Sequence, residues 1–278
     1  MTSNAYEDWI GNTRTLRDTL ASGTAERLLG AIDSRPLDPC AGALLLGHWL
    51  CFRPEMVRSR TGIDGHPMKG DFLPPVTLPR RMWAGSRVAW KRAIPLDLPM
   101  VQLSTIESVT TKSGRSGDLV FVTVRHEVSG EDGPVLTEHQ DIVYREATAG
   151  AAPAAAAERV CDLPWSTPFA ADPVLLFRYS ALTGNSHRIH YDRPYALAEE
   201  GYSALVVHGP LTATLLLDHL VARAGKTPRS FAFRGARPLF DTDAITLGAA
   251  PPGADGTARM QATNGQGALC MSATAQFD

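Results

Sequence analysis

An alanine-rich segment at residues 147–157 divides the chain into two parts of similar length. Its sequence, ATAGAAPAAAA, supplies only small side chains, which contribute little to a hydrophobic core. A chain of 278 residues is long enough to form two cores rather than one. We therefore predict two domains, residues 1–150 and residues 158–278, joined by this linker.

The first part contains several strand patterns. Residues 101–111 and 118–128 carry many β-branched side chains and flank SGRSG, a sequence typical of turns. The turn sequence Asp132-Gly133-Pro134 then precedes a further strand at residues 135–145. Together these segments predict an antiparallel sheet.

Other segments of the first part are less regular. Residues 25–32 have helical spacing, whereas residues 41–52 are nearly all apolar and fit a core helix or a buried strand equally well. The proline-rich stretch at residues 72–85 cannot continue a helix. We expect it to lie extended on the surface or across an interface, followed by a strand at residues 86–92.

The second part combines helices with a run of strands. After a short helix at residues 193–200, residues 205–211 open an apolar helix that continues to about residue 222. Pro210 fits its first turn, where a proline needs no N–H. Strands are predicted at residues 230–236, 244–249, 257–263 and 268–277. This order indicates a long helix wrapped by a curved sheet.

Composition and charge exclude several classes of protein. The net charge of −2 arises from 27 basic and 29 acidic residues without long blocks of one sign, so we expect no nucleic-acid partner. No segment approaches the length of about 18 apolar residues that spans a bilayer, and no basic-then-apolar leader begins the chain. We expect a cytoplasmic protein without a membrane partner. The four scattered cysteines form no CxxC pair and are read as reduced, mostly buried thiols.

The most informative pattern is YSALTGNSHRIHYD at residues 179–192, followed by VHGPL at residues 207–211. It resembles the signature of MaoC-like hydratases, in which an Asp or Asn stands five residues before a His and a HisGly pair begins a helix. LGHWL at residues 46–50 and DFLPPVTLPRRMWAG at residues 71–85 extend the resemblance over most of the chain. This combination is similar to the type 2 3-hydroxyacyl-thioester dehydratases, and within them to itaconyl-CoA and mesaconyl-C4-CoA hydratases.

The resemblance implies an α+β double hotdog fold, with two long helices each wrapped by a curved antiparallel sheet and the two repeats packed sheet to sheet. The first repeat is then a non-catalytic half that contributes to the substrate pocket, and the second carries the catalytic loop. It also implies an acyl-coenzyme A substrate, no metal, and no cofactor beyond the coenzyme A of the substrate. It is compatible with a homodimer.

Three residues carry the predicted chemistry. His190 is the expected base, because an imidazole titrates near neutral pH and can accept and return a proton. Asn185 cannot titrate and is expected to orient the water through its carbonyl oxygen. Gly209, at a helix start, is expected to offer its N–H to the thioester oxygen in an oxyanion hole.

Further residues are candidates for substrate binding. The cationic ones, which could meet the coenzyme A phosphates or a free substrate carboxylate, are Arg80, Arg81 and Arg188. The candidates for the pocket wall are Tyr179, Tyr191, His208 and Leu211, although Tyr179 also fits the core and His208 also fits packing of the turn. Asp192 is read mainly as a helix cap, and a metal site of His187, His190 and Asp192 stays a minor alternative.

We expect reversible hydration of a 2-enoyl-CoA, with a C5 dicarboxylyl-CoA such as itaconyl-CoA or mesaconyl-CoA, yielding citramalyl-CoA, as the favoured substrate. Two alternatives stay open at this point. One is a 3-hydroxyacyl-CoA or acyl-carrier-protein dehydratase of fatty-acid metabolism, and the other is a hotdog protein that binds acyl-CoA without turning it over.

Overall fold

The computed structural model describes residues 6–34, 41–53, 57–114, 117–146 and 160–278, so the predicted linker and Cys40 lie outside the described residues. In these ranges the strands are β1 Thr13–Thr19, β2 Arg80–Trp90, β3 Pro99–Gly114, β4 Gly117–Gly130, β5 Gly133–Arg145, β6 Trp165–Phe169, β7 Ser230–Gly235, β8 Ile245–Ala249, β9 Thr257–Thr263 and β10 Leu269–Gln276. The α-helices are α1 Ser22–Ala31, α2 Pro173–Thr183, α3 Arg193–Ala198 and α4 Gly209–Ala224. Short 3₁₀ helices are Glu7–Trp9, Gly42–Leu50, Arg58–Arg60 and Arg188–His190.

The described strands form one antiparallel sheet rather than two. Their order is β1-β3-β4-β5-β2-β7-β10-β9-β8-β6, so the halves meet edge to edge where β2 pairs with β7. This corrects the expectation that the repeats pack sheet to sheet. The physical reason is that β2 and β7 each end the sheet of their own half, and an edge strand has unpaired N–H and C=O groups that a neighbouring strand satisfies.

Within the described ranges, the long central helix belongs to the second half. Helix α4 spans 16 residues and packs against β8, β9 and β10 on one side and against the 3₁₀ segment Gly42–Leu50 on the other. Because it is covered on both sides, most of its residues are buried, which explains its nearly continuous apolar sequence.

The expectation of two long helices is therefore wrong for the first half. Its central element is the nine-residue 3₁₀ segment, which is interrupted by non-helical backbone at Leu46. At Gly42 the segment approaches α4 so closely that a Cβ would lie 2.6 Å from the carbonyl oxygen of Leu217. The two backbones pack so closely here that no space is left for a full helix with side chains on this face.

The local predictions agree in part with the structure. The β3–β4 and β4–β5 hairpins, helix α3, helix α4 and strands β7 to β10 are confirmed. Strands β1 and β6 and helix α2 were not predicted. Helix α2 has a recognisable start, since the side chain of Asp172 accepts a hydrogen bond from the N–H of Leu175 and Pro173 follows it.

The proline-rich segment fills a small core of the first half instead of lying on the surface. Phe72, Val76 and Leu78 are buried against β3, β4 and β5. The Lys69 ammonium fixes the segment by donating to the carbonyl oxygens of Val76 and Leu78, at 2.7 and 2.6 Å. The proline-rich segment is thereby tied to the loop that precedes it.

Two remaining features concern membrane-spanning helices and cysteines. No helix among the described residues is both long and apolar enough to cross a membrane. Cys51 and Cys270 are buried free thiols, while Cys161 is exposed.

Candidate active site

The predicted catalytic loop joins helices α2 and α3. Helix α2 ends at Gly184, whose positive φ of 61° is a conformation that glycine adopts without strain. The N–H of Asn185 then donates to the carbonyl oxygen of Ser180 at 2.9 Å. At the far end, the side chain of Asp192 caps α3 by accepting from the N–H of Tyr195, which confirms its structural role. The loop is thus anchored at both ends.

The Asn185 side chain shapes the loop from within. Its carbonyl oxygen accepts a hydrogen bond from the N–H of His187 at 3.0 Å. One of the two lone pairs of that oxygen is therefore used inside the protein, and the other stays available. The predicted role in orienting water stays a prediction.

His190 is held as a neutral base. Its Nδ1 lies 2.7 Å from the carbonyl oxygen of Val206 and must donate to it, because a carbonyl cannot donate. The Nε2 lone pair is then the ring's basic position. Burial lowers the pKa of His190 to about 4, although the hydrogen bond to Val206 opposes this effect. The imidazole is therefore unprotonated at neutral pH and can accept a proton.

His208 packs flat against this imidazole. The two rings stack with centroids 3.6 Å apart and planes 18° apart. His208 is fully buried, and its Nε2 lies 2.9 Å from the hydroxyl of Ser180 on α2. The Tyr179 ring meets His208 edge-on at 5.0 Å. This packing fixes the plane of the His190 ring.

Gly209 begins helix α4 beside the loop. Within the described part of the chain its N–H has no hydrogen-bond partner, as expected for the first turn of a helix. Pro210 has no N–H, so Gly209 provides the donor at this end of the helix. A Cβ at Gly209 would lie 3.9 Å from the carbonyl oxygen of Trp83 on β2, which places this strand of the first half at the helix start.

A loop of the first half covers the catalytic loop. The N–H of Arg188 donates to the carbonyl oxygen of Asp64 at 2.9 Å, and the hydroxyl of Ser186 donates to that of Gly65. Gly65 has a φ of 89°, and a Cβ there would lie 1.9 Å from the Ser186 carbonyl oxygen, so only glycine fits. The site is therefore built from both halves of the chain.

This loop brings a further histidine to the site. The His66 ring lies 4.1 Å from the His187 ring, and the His187 ring lies 5.5 Å from that of His190. Burial lowers the pKa of His187 to about 2, and the neighbouring His66 and His190 add to the effect. With His208, four imidazoles form a continuous array.

The array includes a group that sequence reasoning missed. Possible ligand atoms of Asp64, His66 and His187 all lie within 4.8 Å of one another. The alternative metal site of His187, His190 and Asp192 is not assembled, since Asp192 is bound by Arg188 and caps α3. The sequence Asp64-Gly65-His66 was a usable signal, because it places an acid and an imidazole two residues apart just before the proline-rich segment.

The three candidate arginines differ in their partners. Arg80 is paired with Glu200 and donates to the carbonyl oxygen of Glu199 at 2.7 Å. Arg188 forms two hydrogen bonds to Asp192, at 2.9 and 2.7 Å, and lies 4.0 Å from the ring of Tyr195. Both guanidinium groups therefore stabilise the protein itself.

Arg81 is different. In the described ranges it forms no ion pair with a carboxylate. It is half-buried on β2 directly opposite Tyr144 of β5, whose ring lies 5.6 Å from the Lys69 ammonium. Its charge acts on His66 and His187, and it lies two residues before Trp83, whose carbonyl oxygen is at the start of α4.

The predicted pocket residues lie at different depths. Tyr179 and Leu211 are buried in the core, and His208 stacks behind His190, so their contacts are with protein. Tyr191 is 44% exposed and its hydroxyl donates to the carbonyl oxygen of Ser186. Their contact with substrate stays a prediction, as does a homodimer.

Comparison with known proteins agrees with this architecture. The family model described as hydroxyacyl-thioester dehydratase type 2 matches residues 46–241. The mesaconyl-C(4)-CoA hydratase of Chloroflexus aurantiacus is 40% identical, the match covering 100% of this chain and 99% of that protein.

Solved structures support the fold at lower identity. A MaoC-like dehydratase from Phytophthora capsici has a TM-score of 0.72 at 16% identity, over 99% of this chain and 98% of that one. A Mycobacterium tuberculosis protein described as having a double hotdog fold has a TM-score of 0.57 at 14% identity, over 96% of each chain. The expected double hotdog architecture and the resemblance to the dehydratase family are confirmed.

Proposed function

Because the chain belongs to the hydroxyacyl-thioester dehydratase type 2 family, a family of hydratases and dehydratases, we propose that it adds water reversibly to a 2-enoyl-coenzyme A. The observation that carries this proposal is the neutral imidazole of His190 stacked on His208, the residue before Gly209, whose N–H has no partner among the described residues. A base and an oxyanion donor are the two groups that conjugate addition of water requires.

The reaction follows from these positions. His190 Nε2 takes a proton from water as the water oxygen bonds to Cβ, and the electrons of the double bond move toward the thioester oxygen. The Gly209 N–H and the positive end of α4 stabilise the negative charge that develops there. The proton then returns to Cα, so that the elements of water are added without net change in the protein. The reaction as proposed needs no cofactor beyond the coenzyme A of the substrate.

These two contributions are large enough to account for a substantial rate acceleration. Positioned proton transfer typically contributes about 10²–10⁴ in rate, and one oxyanion-hole donor contributes about 10²–10³. A glycine at the helix start also leaves room for the thioester to approach the backbone, since the nearest atom to a Cβ there would be 3.9 Å away.

For the acyl group we propose a C5 dicarboxylyl thioester such as mesaconyl-CoA. The name of the Chloroflexus aurantiacus relative supports this assignment. In mesaconyl-C4-CoA the free carboxylate is bound to the carbon that receives the hydroxyl group, so its cation has to lie close to the water that His190 activates. We assign Arg81 to this role, because its charge acts on His66 and His187 of the imidazole array and it has no carboxylate partner in the described residues, whereas Arg80 and Arg188 are paired.

The alternative of a fatty-acyl dehydratase has one supporting observation. The mitochondrial hydroxyacyl-thioester dehydratase type 2 of Schizosaccharomyces pombe is 39% identical over 75 residues, which cover 26% of this chain. A long acyl chain needs an apolar pocket whose end carries no charge. The half-buried Arg81, which we assign to a substrate carboxylate, favours the dicarboxylyl substrate instead.

Loss of the enoyl-thioester absorbance tests the proposal. Purified protein is mixed with mesaconyl-CoA, itaconyl-CoA and crotonyl-CoA, and kcat/KM is compared. We expect a dicarboxylyl substrate to exceed crotonyl-CoA by at least ~10²-fold in kcat/KM, because crotonyl-CoA leaves a half-buried guanidinium without a carboxylate partner. Arg81→Leu should remove this preference, while Arg87→Leu, an exposed position of the same strand paired with Asp141, should retain it.

Each negative result has a defined meaning. If no enoyl thioester is hydrated, the hydratase assignment is wrong. If crotonyl-CoA or longer enoyl-CoAs are preferred, the fatty-acyl dehydratase takes its place.

A further inference from the structure

Asp64 and His66 form an acid–imidazole pair at the edge of the site. Asp64 Oδ2 lies 3.1 Å from His66 Nδ1, and Asp64 Oδ1 accepts from the N–H of His66 at 2.9 Å. Since a carboxylate can only accept, Nδ1 carries the proton and Nε2 is the basic nitrogen of the ring. The pair thus has the arrangement by which a carboxylate orients an imidazole and stabilises its protonated form.

The pair is connected to the proposed base. The His66 ring is 4.1 Å from His187, which in turn is 5.5 Å from His190. His66 is also the most accessible of the three, with a side chain 20% exposed, whereas His187 and His190 are both 7% exposed. A row of three neighbouring imidazoles therefore extends from the buried base to a carboxylate-bound imidazole near solvent.

We propose that Asp64 and His66 are a second acid–base pair of the hydration site, contributed by the first half of the chain, which holds the proton between the two steps of the reaction. This inference rests on the proposed function. The O–H bond of water breaks as its oxygen bonds to Cβ, and the proton passes from His190 through His187 to His66 Nε2. It returns by the same path to form the C–H bond at Cα, so no proton is gained or lost.

The need for such a pair follows from Asn185. At that position of the motif a carboxylate could accept a proton, but an amide cannot, and the loop itself supplies no other free acid because Asp192 is bound by Arg188. A carboxylate facing His66 makes that ring a better place for the proton than His190, which has only a backbone carbonyl as partner.

The charged surroundings also decide between a proton pair and a metal site. Burial is the main cause that lowers the pKa of His66, and Asp64 opposes it. The other titratable groups near the pair are His187, His190, Arg81, Lys69, Tyr195 and Glu200. Two of them, Arg81 and Lys69, are cations, and their charges oppose the binding of a divalent metal.

The experiment compares Asp64→Asn and His66→Ala with Asp71→Asn, an exposed acid of the same segment. For Asp64→Asn we expect kcat to fall by ~10-fold or more with little change in KM, because the amide can still accept the N–H of His66 but cannot stabilise an imidazolium. The acid limb of the kcat profile should move to lower pH, since removing a carboxylate lowers the pKa of His66. Asp71→Asn should behave as wild type.

Chemical rescue separates a proton carrier from a structural residue. Added imidazole should restore part of the kcat of His66→Ala, because the position is partly open to solvent. Unchanged kcat and pH profiles for both variants, or a loss that imidazole does not restore, would overturn the proposal. Loss of wild-type activity with EDTA that Zn²⁺ restores would overturn it in favour of a metal site. If the wild type hydrates enoyl-CoA and Asp64→Asn and His66→Ala do so with the same kcat and pH profile, this inference fails while the proposed function stands.

Discussion

The buried histidines make the stability of the protein strongly dependent on pH, and this dependence tests the protonation state that the mechanism needs. The perturbation is a change from pH 7.5 to pH 5.0. Burial lowers the pKa of His187 to about 2 and of His190 to about 4 in the folded protein, against about 6.5 in the unfolded chain. The unfolded state therefore binds more protons, and the free energy of unfolding falls as the pH falls below about 6.5.

The magnitude follows from these values. At pH 5.0 an unfolded histidine is almost fully protonated, whereas both folded rings are almost fully neutral. Each ring then costs about 1.5 pH units at 1.36 kcal/mol per unit, or about 2 kcal/mol. His187 and His190 together reduce the free energy of unfolding by about 4 kcal/mol, a large share of the 5–15 kcal/mol typical of a domain. Buried carboxylates such as Glu138, whose pKa is lowered to about 2, change protonation only at lower pH.

The assay is urea denaturation of wild type and His190→Gln at the two pH values, with Tyr179→Phe as control. The wild type should lose at least about 4 kcal/mol between pH 7.5 and pH 5.0, and His190→Gln should lose about 2 kcal/mol less. Tyr179→Phe removes a buried hydroxyl beside the same rings, so it should destabilise equally at both pH values. If His190→Gln loses as much stability as wild type, His190 is not kept neutral by burial and the reasoning is refuted.

Three further predictions concern activity. His190→Gln should lower kcat by at least ~10²-fold with KM nearly unchanged, in the enoyl-thioester absorbance assay. Gly209→Ala should unfold near the wild-type temperature, because its Cβ meets only the Trp83 carbonyl oxygen, at 3.9 Å. The same variant should nevertheless have a lower kcat/KM, and wild-type activity would mean that the thioester does not approach this backbone. Asn185→Asp should move the acid limb of the kcat profile to higher pH, because a carboxylate beside the loop raises the pKa of the imidazoles; an unmoved limb in a pH series would contradict this.

Sequence patterns predicted the features that depend on neighbouring residues. These features include the loop from Asn185 to Asp192, the start of α4 at Gly209 and the β-hairpins, each of which is formed by residues close together in the sequence. Contacts between segments that are distant in sequence could not be predicted in this way. The pairing of β2 with β7 depends on which strand ends each half-sheet, and no local periodicity encodes that choice.

The arginines illustrate the same limit at the site. Arg80 and Arg81 are adjacent in sequence, so side-chain type alone gives no reason to separate them. Successive strand residues point to opposite faces, and this sends Arg80 to Glu200 and leaves Arg81 beside Tyr144 on the face that the covering loop closes. The contribution of Asp64 and His66 was missed for a related reason, because they lie about 120 residues before the loop that they contact.

On the proposed mechanism the two halves have unequal roles, because helix α4 of the second half offers its start to the substrate. An oxyanion donor needs unpaired N–H groups at the end of a helix long enough to carry a dipole. Helix α4, with 16 residues, meets that need. In the described part of the first half, α1 has ten residues and the N–H of Ser22 at its start donates to Asp97, while the central 3₁₀ segment is interrupted at Leu46. On the proposed mechanism the first half therefore cannot form a second site of the same kind. It is free instead to supply the loop with Asp64 and His66 and the strand with Arg81, from which one thioester site per chain follows.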